Sequence, residues 1–268
     1  MSVTVHATAV VDPSADLGDS VDVGAYAVIG PRVSVGPATI VGPHVIIEQD
    51  VRIGAGNRIH AGAAIGGSPQ HRDYAGERTY VRIGDRNVIR EYATIHRGFG
   101  EGTATEIGDD TMIMAGAHVS HNCRIGNGAV IVNAAMLAGF AQIGEQANIS
   151  GLVGVHQFVR VGRLAMVGPV SMVRQDVPPF ILTAGPSARA YGLNVIGLTR
   201  AGVAAEHRDA LKQAFALLYR RRLALPTALG RMEDELGTDP YVRQLIDFLT
   251  AGTHRRGIVP WSREAPSD

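Results

Sequence analysis

Counted in sixes from Val5, 26 of the 29 positions up to Val173 are Val, Ile or Leu. The run includes Val23, Ile29, Val35, Ile47, Ile59, Ile83, Ile95, Ile113, Val119, Ile131, Leu137, Ile149 and Val167; only His71, Glu77 and Glu101 break it. A period of six fits neither the 3.6-residue turn of a helix nor the two-residue alternation of a plain strand. It fits a short strand and a turn, repeated, which is the pattern of a β-solenoid. Three hexads close one triangular coil, and each periodic aliphatic points inward, stacked roughly 4.8 Å from its copies above and below. Glycine often follows the aliphatic, as in Val35-Gly36, Ile53-Gly54 and Val161-Gly162. It is expected at a corner that calls for positive φ.

The pattern lapses over 66–82 and 97–106, stretches rich in Gly, Thr and charge that read as loops protruding from the coil. Loops on a rigid scaffold are frequent places for binding residues. The repeat stops near Asp176-Val177-Pro178-Pro179, where two prolines lack the N–H a ladder needs. Beyond about Tyr191 the periodicity turns helical, with helices expected over 204–223, 226–236 and 241–250. The first places Leu211, Phe215, Leu218 and Tyr219 on one face. The chain therefore divides into a β-solenoid over 1–186 and a helical domain over 187–268, which packs on the solenoid or on a partner subunit.

Composition narrows the function. Lys plus Arg equal Asp plus Glu at 25 each, so no electrostatic footprint for nucleic acid is visible. A lone cysteine, Cys123, permits no intramolecular disulfide and fits a reducing compartment. No signal-peptide pattern opens the chain, and no run approaches the roughly 20 apolar residues of a membrane span. A cytoplasmic protein is expected.

The ten histidines are where chemistry is sought. His118 and His121 flank the inward Val119 and are expected on the surface, with His156-Gln157 two coils on. Histidine suits a general base because its ordinary pKa lies near neutrality. Serine nucleophile elbows, phosphate-cradling glycine loops and Cys-x-x-Cys zinc motifs are all missing from the sequence. Direct transfer assisted by a base is then the economical mechanism. A solenoid offers no deep cleft of its own, so the site is expected between subunits.

The motifs point to a family. Thr94-Ile95-His96-Arg97-Gly98, Ala117-His118-Val119-Ser120-His121, Leu137-Ala138-Gly139, Val155-His156-Gln157-Phe158 and Gln175-Asp176-Val177-Pro178-Pro179 resemble the UDP-N-acetylglucosamine O-acyltransferases of lipid A synthesis. Tyr74-Ala75-Gly76-Glu77 and Gly192-Leu193-Asn194 fit too, so the resemblance spans nearly the whole chain. It implies a left-handed parallel β-helix, although the general crossover rule favours the other hand. It also implies a homotrimer that moves a 3-hydroxyacyl group from acyl carrier protein to the glucosamine 3-hydroxyl, with no cofactor and no metal. His121 matches the general base and the Gly139 N–H the oxyanion donor. His118, His156 and Gln157 match sugar-nucleotide contacts, as do Asn194 and Arg200 in the tail. Arg160, Arg163, Arg174 and Arg220-Arg221-Arg222 are candidates for docking an acidic carrier protein.

The departures concern the acceptor side. Asn122 stands where the family has Asp beside the base, so no carboxylate stabilises the imidazolium. Phe140 replaces a sugar-contacting histidine. His71 and Asp73 stand in the loop before Tyr74, where Asp and Lys are usual; Ile196 and Ala201 alter the tail. Pro169 occupies the acyl-chain ruler, and a shorter chain is expected. Two further readings are a paralogue acting on a different nucleotide (amino) sugar and a metal lyase of the γ-carbonic anhydrase type.

Overall fold

A computed structural model describes residues 2–251 and 256–262; the parts of the tail at 252–255 and 263–268 lie outside the described residues. The hexads form the three faces of a left-handed parallel β-helix. The first face has eleven strands, the second nine and the third eight, and successive coils pair in register. Both loops add whole hexads of length, which keeps the counting phase. Ile29 pairs with Ile47, 18 residues on, whereas Ile53 pairs with Ile83, 30 on, and Ile83 with Ile107, 24 on.

From Val21 on, a regular hexad of the coil buries two side chains, one more than the periodic aliphatic predicts. The second lies two residues earlier, as in Val45 with Ile47 and Ala117 with Val119, all 0% exposed. Four polar residues take this position on the first face. Asn57 Nδ2 donates to Gly54 O (2.8 Å) and Gly84 O (3.0 Å), and Asn57 Oδ1 accepts from Asn87 N (2.8 Å). Asn87 Oδ1 in turn accepts from Thr111 N at 2.7 Å. Buried corner amides that the coil leaves unpaired are thereby satisfied.

The glycines after the aliphatic are there for a different reason from the one expected. None of Gly36, Gly54 and Gly162 has positive φ. A Cβ on Gly36 would stand 2.5 Å from Gly54 C, and one on Gly162 would stand 2.4 Å from Pro179 N. Stacked corners simply approach too closely for a side chain. The left-handed residue is two places further on, and it is often not glycine: His44, Asn122, Phe140 and Phe158 have φ of 56°, 58°, 63° and 65°. Each costs about 1–2 kcal/mol. The geometry lets its N–H reach the coil below, as Phe140 N donates to His121 O (3.0 Å) and Phe158 N to Gly139 O (3.1 Å).

The solenoid ends in Ile181–Ala184, which extends the first face, and Arg189–Leu193, which folds back on it antiparallel. Among the described residues four α-helices follow: α1 (Val195–Arg200), α2 (Ala205–Phe215), α3 (Leu225–Leu236) and α4 (Pro240–Thr250). The helix expected over 204–223 stops at Phe215 and widens into a π-helical turn, Ala216–Arg220, with Arg221 N bonding back to Ala216 O. That turn brings Leu217 (5% exposed) into the core, while Leu218 is only partly buried. The short α1 had no periodicity to announce it. Tail and solenoid share one cluster, in which Leu164 and Phe180 meet Leu211, Leu217, Val242 and Leu245. The tail thus packs on the end of its own solenoid.

Candidate active site

Successive hexads repeat one turn geometry, so residues 18 apart stack into columns along each corner. Between the second and third faces the column carries His121, Gly139 and Gln157, with Asn122, Phe140 and Phe158 beside it. The second residue after the aliphatic needs no N–H for the ladder: prolines 31, 37 and 43 hold that place in early coils. Gly139 has an N–H there, and it donates no hydrogen bond among the described residues. That donor is left for a ligand.

His121 faces away from the solenoid core as expected, yet it is only 7% exposed. The loops explain this. From 66–82 comes His71, its ring 5.6 Å from that of His121 and stacked 3.7 Å from Phe99. Phe99, from 97–106, lies 5.8 Å from His121, and Phe140 covers the other side at 5.3 Å, edge on. Phe140 stacks on the exposed Phe158 at 4.8 Å. Beneath the ring is Gly139: a Cβ there would meet His121 Cε1 at 2.5 Å and Nε2 at 2.6 Å. Only glycine leaves the imidazole this seat.

Hydrogen bonding divides the roles of the two ring nitrogens. His121 Nδ1 is 2.9 Å from Asn122 Oδ1, and the same oxygen accepts from Phe99 N at 2.8 Å. Nε2 makes no hydrogen bond among the described residues and lies against Gly139. On the adjoining second face His118 is held by Thr94 Oγ1 at Nδ1 (2.7 Å) and by Ser120 Oγ at Nε2 (3.1 Å). His96 packs against it at 4.9 Å. Burial, then His118, His121 and Arg97, hold His96 down to about 4, so it is neutral near pH 7. Burial likewise lowers His118, with His121 adding to the effect.

Beside this corner an open cleft of about 1270 Å³ runs between the third face and Ala251, just past α4; Asn122, Phe140, Phe158 and Arg124 line it. Residues 102–104 of the loop and Ala251 of the tail wall this cleft in, which the solenoid faces alone do not.

Not all the expected residues gather here. Gln157 is exposed on the corner and His156 is half-buried on the second face. The Tyr74 hydroxyl is engaged in the fold, donating to Glu77 O (3.2 Å) and lying 3.1 Å from Arg97 Nη2. Asn194 caps α1: its Oδ1 accepts from Gly197 N (3.0 Å) and its Nδ2 donates to Leu164 O (2.9 Å). Arg200 is exposed at the end of α1, and Pro169 is exposed on the corner between the first and second faces. Arg160 and Arg163 anchor α4 through Phe248 O and Gln244, while Arg220, Arg221 and Arg222 are exposed. Phe99 escaped the sequence reading, and His96 and Arg97 entered it only within the Thr94–Gly98 motif, with no role assigned. The corner column could have revealed Phe158, but nothing in the sequence marks a loop residue such as Phe99.

A hexapeptide solenoid with a histidine over a free glycine N–H at its corner defines the hexapeptide-repeat acyltransferase class. Residues 104–139 match the bacterial transferase hexapeptide model, and 176–259 match domain 2 of UDP-N-acetylglucosamine O-acyltransferase. The O-acyltransferase of Paracidovorax citrulli is 49% identical over 261 residues, covering 96% of this chain and 99% of that one. That of Gloeothece citriformis is 49% identical over 202 residues, 74% of this chain and 73% of the relative. The solved acyltransferase of Francisella novicida superposes with a TM-score of 0.93 at 36% identity, over 97% of this chain and 95% of that one. That of Moraxella catarrhalis gives 0.91 at 38%, over 95% and 99%. The chain belongs to the acyl-[acyl-carrier-protein]–UDP-N-acetylglucosamine O-acyltransferase family. Membership sets the metal-lyase reading aside, and both His118 nitrogens are already engaged.

Proposed function

We propose that this enzyme transfers a 3-hydroxyacyl chain from acyl carrier protein to the 3-hydroxyl of UDP-N-acetylglucosamine, the first step of lipid A synthesis. The observation carrying the mechanism is the seating of the His121 ring against Gly139, whose N–H donates no hydrogen bond among the described residues. With Nδ1–H donated to Asn122, Nε2 is the lone pair that takes the proton from the attacking hydroxyl. The hydroxyl oxygen adds to the thioester carbonyl carbon, and the Gly139 N–H stabilises the oxyanion that forms. Collapse expels the carrier thiolate, which takes up a proton, and leaves the ester. The thioester supplies the driving force, so the reaction invokes no cofactor and no metal.

A homotrimer fits this reading. The outward column of the second face is apolar at Val10, Val28, Ile46, Met136 and Met172, between 39% and 62% exposed. Leu152 and Val170 are exposed at 65% and 63% on the corner that carries Pro169. Burying such surface between copies is favourable. It would also bring Pro169, Asn194 and Arg200 of one subunit toward the His121 corner of the next, where His118, His156, Gln157, His71 and Tyr74 frame the acceptor. At Pro169 the ring shortens the space for the chain, favouring shorter acyl groups. The carrier protein docks on the exposed Arg220–Arg222 run, and the enzyme works in the cytoplasm. Among the described residues no helix is long and apolar enough to cross a membrane.

Phe140 and His71 at the acceptor side favour, as second reading, a nucleotide amino sugar acylated on nitrogen. A panel of acceptors and 3-hydroxyacyl carrier proteins decides between them. Product from UDP-N-acetylglucosamine that mild alkali cleaves is the ester and supports the first reading. An alkali-stable amide, formed only with an amino sugar, supports the second.

A further inference from the structure

The side-chain amide of Asn122 can face His121 in two ways, and only one gives a working base. With oxygen toward Nδ1, that nitrogen carries the proton and Nε2 keeps its lone pair. With NH₂ toward Nδ1, the proton moves to Nε2 and the base is lost. A carboxylate at this place would face no such choice, since both its atoms accept. Something else must therefore fix the amide, and the loop over 97–106 supplies it. The backbone N–H of Phe99 points at Asn122 Oδ1 from 2.8 Å. A backbone N–H only donates, so the atom opposite it is oxygen, and the same oxygen lies 2.9 Å from His121 Nδ1. The loop grips Asn122 a second time, Thr105 Oγ1 accepting from Asn122 N at 2.9 Å.

Phe99 is itself fixed. Thr103 Oγ1 donates to Phe99 O (2.9 Å), Gly100 N donates to Glu77 Oε1 of the other loop (3.1 Å), and the Phe99 ring stacks on His71. We propose that Phe99 is a positioning residue whose backbone N–H sets the tautomer of His121 through Asn122, a lock that asparagine requires and aspartate does not. The inference rests on the proposed role of His121 as base.

The test has two readouts on the full-length protein. Long-range proton–nitrogen correlation on ring-¹⁵N histidine, with His121→Ala for assignment, reads the tautomer at neutral pH. The expected result is a protonated Nδ1 and a bare Nε2; a protonated Nε2 overturns the proposal whether or not transfer is observed. Kinetics then compare Phe99→Pro, which deletes the N–H, in two backgrounds. With Asn122 present, kcat should fall about tenfold or more with KM within about twofold, since a wrong tautomer disables the base. In an Asn122→Asp background the same change should cost under about threefold. Equal losses in both backgrounds mean that Phe99 acts only on the fold, and refute the proposal. If the wild type transfers no acyl group at all, the functional reading fails, while the tautomer spectrum still judges the lock.

Discussion

Replacing Gly139 with alanine adds one methyl group at the most crowded point of the corner. Its Cβ would lie 2.5 Å from His121 Cε1 and 2.6 Å from Nε2. Unstrained carbon contacts begin near about 3.5 Å, so the imidazole must withdraw by about 1 Å. Asn122 holds the ring at Nδ1 and Phe140 and His71 flank it, so it can recede only by breaking the 2.9 Å bond or leaving its tautomer-defining position. A misplacement of about 1 Å costs on the order of 10²-fold in rate, or about 2.7 kcal/mol of barrier. The backbone is not at positive φ here, so the fold tolerates alanine, and the N–H proposed for the oxyanion is retained. Steady-state transfer kinetics should show kcat down about a hundredfold, with the unfolding midpoint within a few degrees of wild type. A folded variant within about threefold of wild-type kcat would refute the claim that His121 works from this seat.

Three other perturbations test separate parts of the account. His96 is held at about 4 against an ordinary 6.5, so the unfolded chain binds the extra proton between those values. Stability from this residue is complete above about pH 6.5 and lost as pH falls toward 4, by about 1–2 kcal/mol after screening; His96→Gln should remove that increment in denaturant melts, and an unchanged pH slope would contradict it. Gly36→Ala, meeting backbone at 2.5 Å, should cost about 2 kcal/mol or more, whereas Gly116→Ala, at φ +67° with open space around it, should cost about 1 kcal/mol. The reverse order in chemical denaturation would sink the stacking argument. Arg97, 5% exposed, donates to Gly66 O (2.7 Å) and Ser68 Oγ (3.1 Å). Arg97→Met should lose about 2–4 kcal/mol and expose the loop to proteolysis between 68 and 79; wild-type cleavage rates would argue against the pin.

The fold was legible because one physical constraint, an inward aliphatic once in every hexad, repeats for over 160 positions and prints its period on the chain. The corner glycines show where a correct residue was read for the wrong reason: Gly36 is needed for space, and its φ is ordinary. A sequence displays period directly, but the separation between stacked coils appears only in three dimensions. The motifs located His121, Asn122, Gly139 and Phe140, which the structure brings together. They did not foretell that His121 is covered, because its cover comes from His71 and Phe99 on loops that follow no period. Nor did they separate Tyr74 and Asn194, whose polar atoms already serve the fold, from residues free to meet a ligand.

The most direct test of the account is the rate of ester formation from 3-hydroxyacyl carrier protein and UDP-N-acetylglucosamine, followed by mass spectrometry, for wild type and His121→Ala. A general base contributes about 10²–10⁴-fold. The account predicts ester from the wild type and a loss in kcat/KM of that size in a variant that still folds and assembles. A variant that turns over within about threefold of wild type would contradict the assignment of the His121 corner as the site of transfer.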